Sequence, residues 1–537
     1  MSKIAKESAK GGFSLIVGSA ASTVIAAVAV IIIARLLGPA AYGLYSLSFV
    51  LPALFASVAD FGLSSALTWY GASLRSQGKF RKLASIIGSG LLFNLVVGIV
   101  ISLLIFGLSG QLAAFVLRRQ EMAQLVALAS VTILFRALFN LSYNAFVGLD
   151  RMEHGALMQV LRDTIRVILS PLLIIFGFGV AGAIGGQVFG WAIASMFGVG
   201  LLLAYRQAYR SMPSEMGLEN GVAGDIRAMI SYGMPLYVAS LVSTVLGQYQ
   251  NIVLAFFTSN TEIGNVNAAV NFGALVGVIT TPVATALFPA FSKLDFQTGK
   301  EDLKRMFEVS VRYTTLLILP VVIAVAVLSR DLTRVVYGAA YGVASIYLVL
   351  YVSVFLMTAL GSQVLGNFFS GIGKTRETLK ITLVQLGIYL VAAPVAAWLY
   401  RVPGLLVALV LSSFVSTAFG LRLAIVKYGM RLDLKGPAVT LATALVAALP
   451  ILPLVHYSPF PSFVNVLIGA AIYTATYLTL APAFKAIKRT DLEVLAPILG
   501  QISLLRPATD LIFSYETHLL NMIERNIGET STSREAQ

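Results

Sequence analysis

Apolar runs of about 20 residues, the length that crosses a bilayer core as a helix, recur along almost the whole chain with short polar breaks between them. Their spacing predicts fourteen spanning helices, at 13–34, 44–70, 83–107, 122–148, 156–178, 180–204, 232–257, 264–291, 308–329, 343–370, 380–400, 403–425, 436–456 and 462–484. Glycine and proline interrupt many of them, which membrane helices tolerate better than soluble ones. The longest break, about 205–231, carries the polar stretch SEMGLENGVAGD near mid-chain and reads as a linker between two halves. A weak internal repeat agrees with that division. Ala66, Leu67 and Leu74 register with Ala286, Leu287 and Leu294 at an offset of 220, and a basic loop follows each copy. Six spans per half is an even number, so the copies face the same way, about an axis along the membrane normal.

The expected architecture is an all-α polytopic membrane protein of about 14 transmembrane helices, in two six-helix lobes plus two extra helices. The N-lobe takes 1–204, a linker 205–231, the C-lobe 232–425, two extra spans 426–484, and a tail 485–537. In the tail, Leu492, Leu495, Ile498, Leu499 and Ile502 mark one helix face, and a second amphipathic piece runs over about 508–525. That pattern suits a helix lying in the membrane surface, or a partner-binding segment.

Composition strengthens this picture. The 537 residues are 58% apolar and 12% charged, against about 45–50% and 25% in soluble proteins. A body with so few charges cannot be three or four soluble domains. The net charge of +14 would suggest nucleic acid in a soluble chain. Here the N-terminal tail and alternate loops hold 24 lysines and arginines against six on the opposite side. The positive-inside rule explains that asymmetry with both termini cytoplasmic and no nucleic-acid partner. Lys3, Lys6 and Lys10 precede a first apolar run about twice the length of a signal-peptide core, which reads as an uncleaved span.

Catalytic chemistry finds little support. There is no cysteine, and His154, His456 and His518 lie far apart, so neither thiolate chemistry nor a metal site is expected. No G-x-x-x-x-G-K-[ST] run is present. The outward loops are too short to house a glycosyltransferase site. The chain is read as no enzyme, with no cofactor.

Ionisable groups at bilayer depth are costly and should face protein or water. Two stand near the middle of their spans, and each heads a polar stripe. Ser57, Asp60, Ser64 and Thr68 step by three and four residues, while Thr132, Arg136, Asn140 and Asn144 step by four. Arg136 reads either as an anion-binding group in a water-filled cavity or as half of an ion pair with Asp60. Asp60 is a candidate for that pair, for H+ or Na+ coupling, or for a helix–helix hydrogen bond. In LRDTIR, Arg162 and Arg166 share a face beside Asp163, either as anion ligands or as side chains snorkelling to the interface. Arg312 and Arg422, nearer span ends, read as snorkelling. The second half carries amides instead: Gln248, Asn251, Asn267, Asn271, Gln363 and Asn367. Amides offer donor and acceptor together and suit hydroxyl-rich ligands, or bond between helices.

The segments ARLLGPAAYGLYSL (34–47), ADFGL (59–63) and FFSGIGKTRETLK (368–380), in that order among fourteen spans, resemble the oligosaccharide flippase family of polysaccharide-biosynthesis membrane proteins. That family sits within the multidrug/oligosaccharidyl-lipid/polysaccharide exporter superfamily. The resemblance spans about residues 8–485. It implies two lobes around a central cavity and transfer of polyprenyl- or dolichyl-(pyro)phosphate glycans from the cytoplasmic to the outer leaflet of the cell membrane by alternating access. The partners so implied are the lipid-linked oligosaccharide, membrane lipids and glycan-assembly proteins. By this likeness Arg136, with Arg162, Arg166 and Arg35, would hold the (pyro)phosphate, and Asn140, Asn144 and the second-half amides would face the sugars. The rival readings are a cation-coupled multidrug exporter of the same superfamily, which should line its cavity with carboxylates, and a non-transporting membrane scaffold.

Overall fold

The computed structural model describes residues 3–212, 221–273, 291, 300–489, 491–492, 514–519 and 521–522, and these are helical wherever they form regular structure. Among the described residues, eight helices, or nine with one bent pair, are long and apolar enough to cross a membrane. They cover twelve of the fourteen expected spans because three of them run through two spans each. A straight helix of 60 residues, the length of the stretch Met152–Ser211, would extend about 90 Å, some three times the hydrocarbon core. The chain must therefore break within it, and each break falls at a left-handed residue. Gly38 (φ 73°) ends the first span, Gly177 (φ 93°) and Gly179 (φ 52°) end the fifth, and Arg401 (φ 50°) ends the eleventh. The expected eighth span enters the described residues only at its start and at its last residue, Phe291. The repeat positions Ala286, Leu287 and Leu294 and most of the amphipathic tail lie outside them.

The chain forms two compact units, residues 1–268 with 397–402 and residues 269–396 with 403–537. In the first unit the helices are α1 (Lys3–Ser48), α2 (Val50–Ala59), α3 (Leu63–Ser76), α4 (Phe80–Gly107), α5 (Ser109–Phe115), α6 (Ala123–Ser130), α7 (Thr132–Gly148), α8 (Met152–Leu173), α9 (Gly179–Ser211) and α10 (Gly221–Phe257), followed by most of α11 (Asn260–Asn271). Helix α10, which starts at Gly221 within the expected 205–231 linker, thus packs with the first six spans, and the division between units falls inside α11.

Small residues let these helices approach closely, which is how membrane helices gain dispersion contact without a hydrophobic drive. On α9, Gly182, Gly186, Gly190, Ala194 and Gly198 recur every four residues. Gly182 meets Leu173, Gly186 meets Ser170, Gly190 meets Arg162 and Gly198 meets Met158, so α9 runs antiparallel to α8 over its length. A Cβ on Gly186 would lie 2.4 Å from the Ser170 backbone nitrogen. Likewise Gly62 and Gly233 bring α10 against the second span: a Cβ on Gly233 would stand 2.1 Å from the Gly62 carbonyl oxygen.

Both ends of α10 are tied to this unit by polar groups. At its start the fully buried Asp225 accepts hydrogen bonds from Lys82, from Ser85 (2.6 Å) and from Ser89 (3.3 Å) on α4. At its end Arg119, 9% exposed, donates to the carbonyls of Ala255 and Thr258 and to the Asn260 side chain. These are the last carbonyls of α10, which have no partner within the helix and attract a cation.

The second unit is built on α12 (Lys300–Val327), α13 (Ser329–Tyr337), α14 (Ala344–Val352), α15 (Ser362–Gly371), α16 (Thr375–Tyr428), α17 (Lys435–Ala448), α18 (Leu452–Tyr457) and α19 (Ser462–Ala483). The two extra spans are not peripheral to it. Ala444, Ala447 and Ile451 pack with Tyr473, Tyr477 and Ala481 against Leu316 and Ile323 of α12 in one buried cluster, which also takes in Leu492. Arg312, read from sequence as snorkelling, instead donates to Asp491 at 2.6 Å and pins the segment after α19 to α12.

Glu377, three residues ahead of the expected span 380–400, is clasped by Lys427 (2.6 Å) and Lys380 (2.9 Å). Those bonds hold its carboxyl down to about 2, against about 4.3 for a free glutamate. A depressed value stabilises the fold fully above the unfolded value, and that contribution fades as pH falls toward the folded one. The melting temperature of the wild type is therefore expected to fall between pH 5 and pH 3 by more than that of Glu377→Gln. Equal slopes for the two proteins would refute the assignment.

Candidate functional site

In the first unit, four helices bring three arginines close together, two of them against one indole ring. Arg136 lies on α7, Arg162 and Arg166 lie one turn apart on α8, and Gln187 and Trp191 lie one turn apart on α9. The antiparallel α8–α9 pairing sets these two i, i+4 pairs side by side. The Arg136 guanidinium stands 5.2 Å from the Trp191 ring centre and that of Arg162 4.7 Å from it, with Phe139 also 5.3 Å from Arg162. Both cations thus share one aromatic partner.

Asp163 is the single carboxylate in the cluster. It is 2% exposed, accepts two bonds from Arg162 at 3.0 and 2.7 Å, and a third from Ser22 on α1. Arg166 donates to the Tyr45 hydroxyl at 3.1 Å, and Tyr45 in turn donates to Gln187. Arg136 has no ion pair or hydrogen bond among the described residues, and the Nε atoms of Arg136 and Arg166 are buried without partners. The one carboxylate is thus taken up by Arg162, and Arg136 has no counter-ion of its own among the described residues. Buried cations in excess of their partners are costly, and an anion placed beside them would complete the set. Arginine suits a phosphate oxygen pair because its planar fork donates two parallel bonds.

The ion pair of Arg136 with Asp60 is not made in this structure. Asp60 stands at a break in the second span, where Phe61 (φ 46°) and Gly62 (φ 81°) turn left-handed between α2 and α3. Its carboxylate accepts from the Gly62 and Ser64 backbone nitrogens at 3.2 and 3.3 Å and from the Ser64 hydroxyl, covering the first free N–H groups of α3. The stripe Ser57–Asp60–Ser64–Thr68 is accordingly not one face of a continuous helix. Ser57 bonds to the Leu54 carbonyl and Thr68 to that of Asn144.

The remaining sequence candidates divide by their bonds. Asn144 donates to Asn140 O at 2.9 Å, Asn267 to Asn251 at 3.3 Å and Asn367 to Gln363 O at 3.2 Å, so each supports its own or a neighbouring helix. The amides of Asn140, Gln248 and Gln363 have no side-chain partner among the described residues. Arg35 is exposed on α1, three residues before the Gly38 break, and Asn271 stands at the end of α11 in the second unit. Sequence reasoning missed Tyr45, Gln187 and Trp191. The signal was present: Gln187 and Trp191 are long polar-tipped side chains one turn apart in a span whose only other polar residue is Ser195.

The model of the family described as polysaccharide biosynthesis protein matches residues 32–346. Among curated proteins, the Probable low-salt glycan biosynthesis flippase Agl15 of Haloferax volcanii is 19% identical over 388 residues, which are 72% of this chain and 76% of that one. Among solved structures, the lipid II flippase MurJ in an inward closed conformation superposes with a TM-score of 0.70 at 14% identity, over 87% of this chain and 98% of that one. An inward-facing multidrug resistance MATE transporter of the MOP superfamily gives 0.63 at 18% identity, over 77% and 98%. At such identities the two structures speak for the fold, that of a multi-pass helical membrane transporter. The family match covers more than half of the chain, and the protein belongs to the polysaccharide biosynthesis protein family.

Proposed function

We propose that the protein is a flippase that moves a polyprenyl- or dolichyl-(pyro)phosphate-linked oligosaccharide from the cytoplasmic to the outer leaflet. The observation that carries this reading is the excess of half-buried arginine beside Trp191 and Asp163, with the Nε atoms of Arg136 and Arg166 cut off from solvent and unpartnered. Arg136 and Arg166 offer unpaired N–H groups to an anion at bilayer depth, and a lipid (pyro)phosphate is the anion that arrives there with its tail already in the membrane. Arg162 is engaged by Asp163, so it positions Trp191 and adds field strength rather than its own free donors. The unpartnered amides of Asn140 and Gln248 suit sugar hydroxyls. Family membership and the flippase names of two relatives support the same reading.

Leaflet transfer in reconstituted vesicles tests it. Wild-type protein is expected to expose a fluorescent polyprenyl-pyrophosphate oligosaccharide on the far side, and to leave an organic cation untransported. Extrusion of the cation without transfer of the lipid would replace this reading with the drug-exporter one. With Asp60→Asn, unchanged transfer under an imposed H+ or Na+ gradient would assign Asp60 to capping α3 alone.

A further inference from the structure

In the second unit a cavity of about 280 Å3 opens where the tenth span breaks. The span runs as α14 and a tight turn to Leu360, then bends by 51° into α15 at Gly361 (φ 85°). Phe355 lies before the break, Ser362, Gln363 and Gly366 after it, and α16 closes the other walls with Gln385 and Ser416. The lining is hydroxyl, amide and apolar, and no charged side chain contributes to it.

Its polar groups are left with capacity to spare. The Ser362 hydroxyl is cut off from solvent with no partner among the described residues, and the amides of Gln363 and Gln385 have none either. The hydroxyls of Thr382 and Ser416 donate to Thr378 O (3.1 Å) and Ser413 O (3.0 Å), which leaves their oxygens as acceptors. Donors and acceptors thus converge on one space beside a phenyl ring. Buried polar groups without partners are uncommon and costly, so the cavity calls for an occupant that supplies both kinds of bond. Gly366 keeps the space open: a Cβ there would meet nothing within 4 Å.

We propose that this pocket holds one neutral sugar ring, whose hydroxyls pair with the amides and hydroxyls while its C–H face lies against Phe355. The volume sits at the lower edge of small-molecule sites, which run about 300–1,000 Å3, and admits one ring. A uronic acid or a phosphate is rejected because no cation lines the pocket to offset the burial of its charge. The ring could be carried by the polyprenyl-pyrophosphate substrate or by a membrane glycolipid. The choice of the first carrier rests on the function proposed above.

The test uses the full-length protein in vesicles and a diazirine-bearing glucosyl group in three forms: on polyprenyl pyrophosphate, on diacylglycerol, and oxidised to the glucuronosyl form on the same polyprenyl carrier. Photolabelling is expected within 354–366 and 378–417, at least about tenfold weaker for the glucuronosyl probe and for Gly366→Leu, which fills the cavity. Gln385→Ala, which removes one pair of bonds without adding bulk, is expected to weaken it about tenfold as well. Labelling by the polyprenyl probe alone identifies the substrate as the source, and labelling by the diacylglycerol probe identifies a glycolipid. Absence of labelling by both, or labelling of Gly366→Leu and Gln385→Ala as strong as that of the wild type, overturns the proposal. Binding of sugar-free polyprenyl pyrophosphate is measured in parallel. Its failure would sink the flippase reading while leaving the diacylglycerol arm to decide the pocket.

Discussion

Arg136→Ala is expected to lower transfer of a lipid-linked oligosaccharide about a hundredfold while raising the melting temperature of the empty protein. The two effects have one cause. Without substrate, Arg136 is half-buried with its Nε cut off from solvent and no hydrogen-bond partner among the described residues, and Arg162 faces the same indole ring. Removing an uncompensated buried cation relieves desolvation and repulsion, and replacing buried charge by apolar groups often stabilises by about 1–4 kcal/mol. With substrate bound, the same truncation strips a charged ligand of its partner, at about 2–5 kcal/mol, and a hundredfold is about 2.7 kcal/mol on that scale. Arg136→Lys should recover only part of the transfer, because an ammonium loses both the fork and the flat stacking on Trp191. Transfer in vesicles and thermal melting in detergent read the two effects separately. A variant that melts lower than the wild type, whatever its transfer, would mean that Arg136 supports the fold.

Gly186→Leu is expected to be among the most damaging single changes outside the arginines, and Gly185→Leu next to it nearly silent. A Cβ at 186 collides with backbone atoms of Ser170, 2.4 Å from the nitrogen and 2.6 Å from Cα, so no rotamer change relieves it. At 185 the nearest contact is Leu173 Cδ1 at 3.5 Å, an ordinary van der Waals distance. Overpacking costs about 1–3 kcal/mol when side chains can adjust, and here α8 and α9 must part. The melting temperature should fall by about 5 °C or more for 186 and by little for 185. The same parting would withdraw Trp191 from Arg162, so transfer should drop in any Gly186→Leu protein that survives reconstitution. Similar melting for the two variants would mean that α9 is not held by its glycine stripe.

The spans were legible in sequence because a bilayer core imposes a length and a polarity that few other demands mimic. Several of their ends were legible too, since the turns at Gly38 and Arg401 fall in the expected gaps 35–43 and 401–402, whereas the turn at Phe61–Gly62 lies inside the expected second span. The arginines of the site could be singled out by cost alone: a charge at such depth needs a reason. What surrounds them could not. Tyr45 and Ser22 join Arg166 and Asp163 from helix α1, some 120 and 140 residues earlier, and periodicity within one span says nothing about its neighbours. The Asp60 stripe misled for a different reason. Counting by three and four presumes an unbroken helix, whereas Asp-Phe-Gly is turn chemistry, with the aspartate covering the next helix start and the glycine taking the left-handed turn. The glycine stripe of α9 was visible, yet its meaning depended on a partner helix that only the fold supplies.

The ties at the two ends of α10 bear on how the chain is made. Asp225 meets Lys82 across 143 residues and Asn260 meets Arg119 across 141, so neither bond can form when the first six spans leave the ribosome. Until residue 225 is synthesised Lys82 lacks its carboxylate, and until residues 255–260 are synthesised Arg119 lacks the carbonyls and amide that receive it. The first unit is therefore completed late, when α10 is tied first at its start and then at its end to partners made some 140 residues before it. A nascent chain halted before Gly221 holds six inserted helices with an open flank along Gly62, where a protease or a chaperone would find it.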